Sequence, residues 1–444
     1  MNPKTEELIG LAEFLVGSAI KNGADEAEVS IHFDRGFSVD VRQGEIEKLE
    51  EAGDKEMSIR LIKDKKTATI DSSDFSKPVL EQLIKNAISR AEASSPDPFA
   101  GLPEFDSSIK LVDWQKLAIY DETIEGLTPE QKIDYARQIE AICLSDKRIS
   151  NSHGASFSNF TSETILVNSF GFSGCYQRTG CEAGVHLQAG DGDNKVEDGW
   201  YESSRFFKNL WSPEKIAATA IQRVTRLINP RKVKTQNVPV VLEPNIARSL
   251  LGFFYQCING EAIYMKQSFL VNKINEKIAG EGITIVDDGL IPGAPGSKPF
   301  DGEGVPIRKT VVVEKGILKT YLTDAYSARK LNRKSTGNAS GGNNFHLQPG
   351  SYSPQEIIKS VDKGLLLTGT LGQGTNPATG DFSRGAIGLW IENGVVTFPV
   401  AEITVSGNLS QMLKNIEMIG NDLRFTRSLA GPTIKIGEMT VSGV

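Results

Sequence analysis

Four histidines and four cysteines are the side chains through which this 444-residue chain would hold a catalytic metal. Zinc needs imidazole or thiolate ligands converging on one point. His32, His153, His186 and His346 are too far apart for any H-x-x-x-H or H-E-x-x-H pairing, and His32 sits on the polar side of a strand pattern, where exposure is expected. Cys175, Cys181 and His186 come nearest to a cluster. On a strand, however, Cys181 shares a face with Ala183, Val185 and Leu187, while His186 points the other way with Glu182 and Gln188. They read as reduced, packed cysteines. Asp191-Gly192-Asp193-Asn194 resembles the start of a calcium loop, but Lys195 and Val196 stand where an oxygen ligand and a glycine are required, which leaves a polar turn. Gly369, Gly372 and Gly374 lack the third glycine of a phosphate loop, since Pro377 takes its place, and a strand pattern follows where a helix N-terminus is needed. No G-x-S-x-G elbow occurs. Asp287-Asp288 ends an apolar run; neighbouring strand carboxylates point apart, so an aspartate-bound turn is expected rather than an acid–base dyad.

Composition narrows the classes further. Lys plus Arg is 49 and Asp plus Glu is 56, a net charge of −7 that argues against a broad nucleic-acid surface. No apolar run approaches the roughly 18 residues of a membrane span. Met1 to Glu7 run into an amphipathic helix with no signal-peptide core, and four cysteines make no disulfide framework. A soluble protein of the reducing cytoplasm is expected.

The elements that must position any site read as α+β. Leu8, Leu11, Ala12, Leu15, Val16 and Ala19 form a helical stripe. Ala27, Val29, Ile31 and Phe33 then alternate with polar residues, Arg35-Gly36 is read as a tight turn, and Phe37, Val39 and Val41 as the strand returning. Met57–Leu61 and Ala68–Ile70 add two strands, and Val79–Ala91 is helical again, giving helix, four strands, helix. Ser94 to Pro103 has the composition of a solvated linker. Thr128-Pro129-Glu130 and Ser212-Pro213-Glu214 begin helices, with strands at Thr164–Asn168, Phe172–Arg178 and Cys181–Gln188 between them. The basic stretch Arg231, Lys232, Lys234 marks a boundary. Beyond it strands and glycine turns dominate, with strands at Ile283–Val286, Arg308–Val313 and Leu318–Leu322, a hairpin at Asn393-Gly394 and helical spacing over Leu409–Ile419. Three segments are expected: an N-terminal helix/antiparallel-sheet layer over 1–110, a middle α+β region over 111–232, and a β-rich domain with a few helices over 233–444.

Val240-Val241-Leu242-Glu243-Pro244, Gly260-Glu261-Ala262, Ile285-Val286-Asp287-Asp288, Gly337-Asn338-Ala339, the run Gly374 to Ala386, Trp390-Ile391-Glu392-Asn393-Gly394, Gly407-Asn408-Leu409 and Ile419 to Leu423 are an ordered set. On them the chain resembles the TldD/PmbA family, along essentially its whole length, and its PmbA (TldE) branch in particular. The resemblance implies a metallopeptidase system of two related subunits. In the TldD branch a helix carries H-E-x-x-x-H, and a late cysteine completes a zinc site. Here the corresponding positions read Gly252, Phe253 and Cys257, and no cysteine follows Leu423. The resemblance therefore implies a subunit with no catalytic residues and no metal of its own, partnered by a TldD-type paralogue that holds the zinc, the pair acting on unfolded peptides. Two alternatives stay open: a stand-alone homodimeric peptide-binding protein, and a hydrolase active by itself. Gly374–Ala386 reads as a thirteen-residue polar loop. Asp381, Ser383 and Arg384 would line a peptide channel or an interface, or Arg384 and Asp381 would pair to hold the loop.

Overall fold

The computed structural model describes residues 3–104, 108, 110–192 and 194–444. The first half contains α1 (Pro3–Lys21), β1 (Glu26–Arg42), β2 (Glu45–Lys63), β3 (Lys66–Ser72), α2 (Lys77–Ala93), α3 (Pro129–Leu144), β4 (Ile149–Asn168), β5 (Ser173–Ala189), β6 (Val196–Ser204) and α4 (Pro213–Thr225). Its six strands form one antiparallel sheet in the order β3-β2-β1-β4-β5-β6, so the strands before and after the Ser94–Pro103 connector belong to a single layer.

The turn expected at Arg35-Gly36 is absent. Those residues lie inside β1, opposite Gly53 and Ala52 of β2. Val29, Ile31, Phe37, Val39 and Val41 are all odd-numbered and all buried, so the same face turns inward on both sides of Gly36, although Phe33 is half-buried and Arg35 exposed between them. The chain reverses instead at Gln43-Gly44, where φ is 53° and 80°, as a two-residue hairpin turn requires. Three strands, not four, therefore lie between α1 and α2. The gap expected between Arg178 and Cys181 is likewise filled, because β5 runs straight through Thr179-Gly180.

All four helices pack on one face of this sheet. α1 and α2 cover Ala27, Val29, Ile31, Met57, Ile59, Leu61, Ile165 and Val167. α3 and α4 cover Phe37, Val39, Val41, Phe157, Cys181, Ala183, Val185 and Leu187. α3 begins with the capping box that Thr128 and Gln131 allow. The opposite face carries Ser156, Ser158, Phe160, Ser162, Thr164, Arg178, Gly180, Glu182 and His186; it has no helix of its own and is partly covered by the second half of the chain.

That second half contains β7 (Gln236–Leu242), α5 (Pro244–Ile258), α6 (Gly260–Tyr264), β8 (Ile285–Asp288), β9 (Lys309–Glu314), β10 (Ile317–Leu318), α7 (Ala325–Lys330), β11 (Phe345–Leu347), α8 (Pro354–Lys359), β12 (Lys363–Leu371), β13 (Thr375–Asn376), β14 (Asp381–Glu392), β15 (Val395–Asn408), α9 (Leu409–Lys414), β16 (Ile416–Ile419), β17 (Leu429–Ala430) and β18 (Ile434–Ser442). They make a five-stranded sheet, β10-β9-β8-β11-β17, and a seven-stranded one, β12-β7-β18-β15-β14-β13 with β16 on β18. One large apolar core joins the two sheets, and α5 lies within it. The α+β class and the β-rich second half stand as expected. Asn393-Gly394 turns with φ of 51° and 73°. Two expectations fail: strand pairing after Gly316 stops at Leu318, and the helix from Leu409 ends at Lys414, where the chain turns into β16.

Both supposed linkers are tied down. Arg329 donates from Nε to the Phe99 carbonyl at 2.7 Å and from Nη2 to the Gly101 carbonyl at 2.6 Å, and the Tyr326 hydroxyl donates to Asp97 at 2.7 Å. The Arg231 amide donates to the Pro399 carbonyl, and its guanidinium stacks on Phe398. Backbone carbonyls of a proline-rich stretch make good acceptors for an arginine fork, a role that composition does not reveal. Asp193 of the acidic turn lies outside the described residues.

Candidate functional site

Helix α5 starts at Pro244 directly after Glu243, whose carboxylate accepts from Arg223 of α4 at 3.0 Å and from Arg226, which caps the C-terminus of α4, at 2.7 Å. This pins the start of α5 to the six-stranded layer. From there Leu250, Leu251, Phe253, Phe254, Cys257 and Ile258 point into the core. Phe254 stacks on Phe345 of β11 with centroids 6.2 Å apart, and Tyr255 meets the same ring edge-on at 5.4 Å.

The three motif positions on α5 do not fit a zinc ion. Gly252 has no side chain, and a Cβ there would meet Leu429 of β17 at 3.6 Å. Phe253 is a buried hydrocarbon, 3% exposed. Cys257 is fully buried, and burial pushes its thiol up to about 12, far from the thiolate a metal selects. Its sulfur lies 4.0 Å from the Pro377 carbonyl. Among the described residues no group of three His, Cys, Asp or Glu side chains is placed to hold a metal.

Pro377 belongs to the second predicted feature. Gly374–Ala386 is not a long loop. It is a tight hairpin in which Thr375 and Asn376 of β13 pair with Phe382 and Asp381 of β14, turning at Gly380 with φ of 81°. The turn sits on the chain just after α6: the Phe269 amide donates to the Pro377 carbonyl at 3.0 Å, and the Phe269 ring would be 3.2 Å from any Cβ at Gly380. Arg384 and Asp381 do not pair. Arg384 Nη1 donates to Ser249 Oγ of α5 at 3.2 Å, with its guanidinium over Phe382. Asp381 accepts from Thr379 at 2.6 Å and Asn408 at 3.0 Å, which hold its carboxyl below the usual range. Ser383 is exposed, and its amide closes the hairpin onto Gly374. The two predicted features thus meet along α5.

Three arrangements were not foreseen. Asp287 and Asp288 part as strand geometry demands, but only Asp288 binds a turn, accepting from the Leu290 amide at 3.0 Å. Asp287 is buried and accepts from Asn338 Nδ2 at 2.7 Å and from the Asn343 amide at 2.7 Å, while burial raises its pKa. Second, His153 and His186 come together across β4 and β5, ring centroids 5.4 Å apart, with Glu197 of β6 at 3.0 Å from His153. Spacing along the chain could not show this; the register of Gly154 opposite His186 creates it. Third, His32 is half-buried, with Nδ1 3.3 Å from Thr164 Oγ1, and burial lowers its pKa.

Comparison with known proteins agrees with this architecture. Family models described as PmbA/TldA metallopeptidase domain 1, central domain and C-terminal domain match residues 27–94, 122–228 and 235–443. The chain is 32% identical to Metalloprotease PmbA of Escherichia coli O157:H7 over 95% of its own length and 93% of that protein's. It is also 32% identical to the Metalloprotease PmbA homolog of Haemophilus influenzae, over 100% of this chain and 98% of that one. Among solved structures, one from Bacteroides thetaiotaomicron described as a modulator of DNA gyrase superposes with a TM-score of 0.91 at 30% identity, all of both chains being covered. TldE from Thermococcus kodakarensis shares the fold, with a TM-score of 0.85 at 24% identity over 98% of this chain and 100% of that one. With all three domain models matched in order and two relatives aligned over nearly its whole length, the chain belongs to the PmbA/TldD metallopeptidase family.

Proposed function

We propose that this chain is the non-catalytic subunit of a PmbA/TldD-type peptidase: it pairs with a zinc-bearing TldD-type paralogue and helps admit unfolded peptides to it. One observation carries the reading. The helix at the position of the family's zinc motif, α5, offers Gly252, Phe253 and a buried Cys257, and packs its aromatic side chains where a hydrolytic zinc would need an open ligand position and water. The zinc belongs to the partner, and this chain contributes surface. Its helix-free sheet face is polar, and β2 meets β3 only from Met57 onward, leaving residues 45–56 without a strand neighbour on that side. An extended peptide can add to such an edge through backbone hydrogen bonds, largely independent of sequence. Cys143, Cys175, Cys181 and Cys257 are all unpaired thiols, in keeping with a cytoplasmic setting. Among the described residues no helix is long and apolar enough to cross a membrane.

The experiment assays the pure chain, with and without the paralogue and a chelator, on an unfolded peptide. The pure chain should hold no stoichiometric zinc and cut nothing, and the mixture should cut in a chelator-sensitive way. Chelator-resistant cleavage by the pure chain would favour a solitary hydrolase. Tight peptide binding by a homodimer that ignores the paralogue would favour the stand-alone binding protein.

A further inference from the structure

A cleft of about 340 Å³ opens on the helix-free face of the six-stranded sheet, between β4–β6 and the segment Thr426–Ser428. Phe160 lies flat over Gly180, its directly opposed neighbour on β5, where an added Cβ would come within 2.6 Å of the ring. A guanidinium stands beside this ring on each side: Arg178 at 5.9 Å and Arg205 at 6.0 Å from its centroid. Neither has a carboxylate within ion-pair distance among the described residues.

The two arginines are not alike. Arg205 is 6% exposed and fixed, donating from Nη1 to the Thr179 carbonyl at 2.9 Å and from Nη2 to the Pro295 carbonyl, so it bridges the two halves of the chain. Its Nε is buried without a partner, and burial pushes its pKa down to about 10. The Arg178 guanidinium makes no hydrogen bond among the described residues, and its Nε too is buried without a partner. Nearby anions are already committed. Glu182 pairs with Arg427 at 2.5 Å. Asp301 accepts from the amides of Ala339, Glu303 and Val305. Asp287 is saturated by Asn338 and Asn343. Lys298 adds a second buried cation to Arg205 in this neighbourhood. Arg205 is buried with its Nε unpaired, and Arg178 is half-buried with its Nε unpaired; an anion completing the site would offset the cost of both.

The cleft also adjoins the degenerate motif. Gly252 of α5 meets Leu429, the residue after Ser428, and Arg248, one turn earlier on α5, feels the charges of Arg427 and Glu182. We infer that Arg178 and Arg205 form a carboxylate-binding subsite that holds the free C-terminal carboxylate of a peptide lying along the helix-free sheet face. This inference rests on the peptide-admitting reading above. Planar guanidiniums present forked donors that match a carboxylate in the plane of its oxygens, and the Phe160 ring gives the residue before it an apolar seat.

The test uses the full chain and one short unfolded peptide made as the free acid and as the C-terminal amide, each with the same N-terminal fluorophore, read by anisotropy. The free acid should bind about tenfold tighter or better than the amide. Arg178→Gln should erase that difference by weakening the free acid, without lowering the melting temperature. Arg205→Lys, expected to loosen the contact with Pro295, should erase it at some cost in stability. Equal binding of acid and amide by the parent chain overturns the subsite but leaves the peptide-admitting reading standing. Binding of neither peptide overturns both. Inorganic phosphate displacing the free acid at lower concentration than acetate does would assign the arginines to a phosphate and overturn the carboxylate assignment.

Discussion

Arg384→Ala discriminates between two roles for the hairpin at Gly374–Ala386, because the guanidinium spans the hairpin and α5. Its Nη1 hydrogen bond to Ser249 at 3.2 Å is the direct tie. A hydrogen bond from a charged donor is worth about 1.5–3 kcal/mol, and the contact with Phe382 adds about 0.5 kcal/mol. Against this, Nε is buried without a partner, and removing it returns about 1 kcal/mol of desolvation cost. The balance is a loss of about 1–2.5 kcal/mol. For a domain of 150–250 residues this lowers the melting temperature by about 2–10 °C. Ser249→Ala should cost less, and the double variant should cost clearly less than the sum of the two, with a coupling of about 1 kcal/mol. Thermal and urea unfolding read the stabilities, and capture by the paralogue or by a labelled peptide reads function below the melting transition. If the parent and Arg384→Ala unfold together while the variant loses partner or peptide binding, the clamp is refuted and Arg384 belongs to a channel or interface.

Two further outcomes follow from burial. Cys257 should resist thiol reagents at pH 8 in the folded chain and react only when α5 is exposed by denaturant, because its thiol is buried and pushed up to about 12; rapid native labelling, located by mass spectrometry, would contradict the packing described. Glu28 is raised to about 7, chiefly by burial against the pull of Arg60. The folded state keeps its proton while the unfolded chain releases one near 4.5, so this group's contribution falls as pH rises from about 4.5 to 7, by at most about 3 kcal/mol, and is flat above. Glu28→Gln should flatten that part of the stability profile; an unchanged profile would show that Arg60 keeps Glu28 ionised.

Local pattern made much of this fold legible. The capping residues of α3 and the Asn393-Gly394 hairpin announce themselves because the deciding interactions lie within four residues of each other. At Gly36 a glycine after a charged residue signals a turn, whereas the shared odd-numbered phase of Val29, Ile31, Phe37, Val39 and Val41 carries the better information. The same holds for Gly180, which is not a break in β5 but the place where Phe160 lies across the strand. The candidate site divides in the same way. The absence of ligands at Gly252 and Phe253 is plain in the residues themselves. The tie of Arg384 to Ser249, the meeting of His153 and His186, and the pairing of Arg178 with Arg205 join residues 135, 33 and 27 positions apart, and only strand register or helix docking could reveal them.

The packing of α5 also decides whether the motif could be restored by substitution. Gly252→His, Phe253→Glu and Cys257→His would rewrite the three positions as H-E-x-x-x-H. In this core Phe253 is 3% exposed and Cys257 fully buried. A glutamate at 253 would place a carboxylate in the apolar core that holds Leu250 and Phe254, at a cost of several kcal/mol unless it is hydrogen-bonded or takes up a proton. A histidine at 257 must displace the Pro377 carbonyl that now lies against the sulfur, and with it the hairpin turn. One at 252 must push back Leu429. Among the described residues of the parent chain no group of three His, Cys, Asp or Glu side chains is placed to hold a metal. The triple variant is therefore expected to unfold at markedly lower denaturant than the parent and to gain no stoichiometric zinc by elemental analysis. A triple variant of parental stability that binds one zinc per chain would show that α5 keeps a latent site, and that this chain differs from a zinc-bearing paralogue by ligands alone. The expected result places the difference in the whole environment of the helix, where the aromatic rings and the seated hairpin occupy the volume that a metal, its water and a substrate would need.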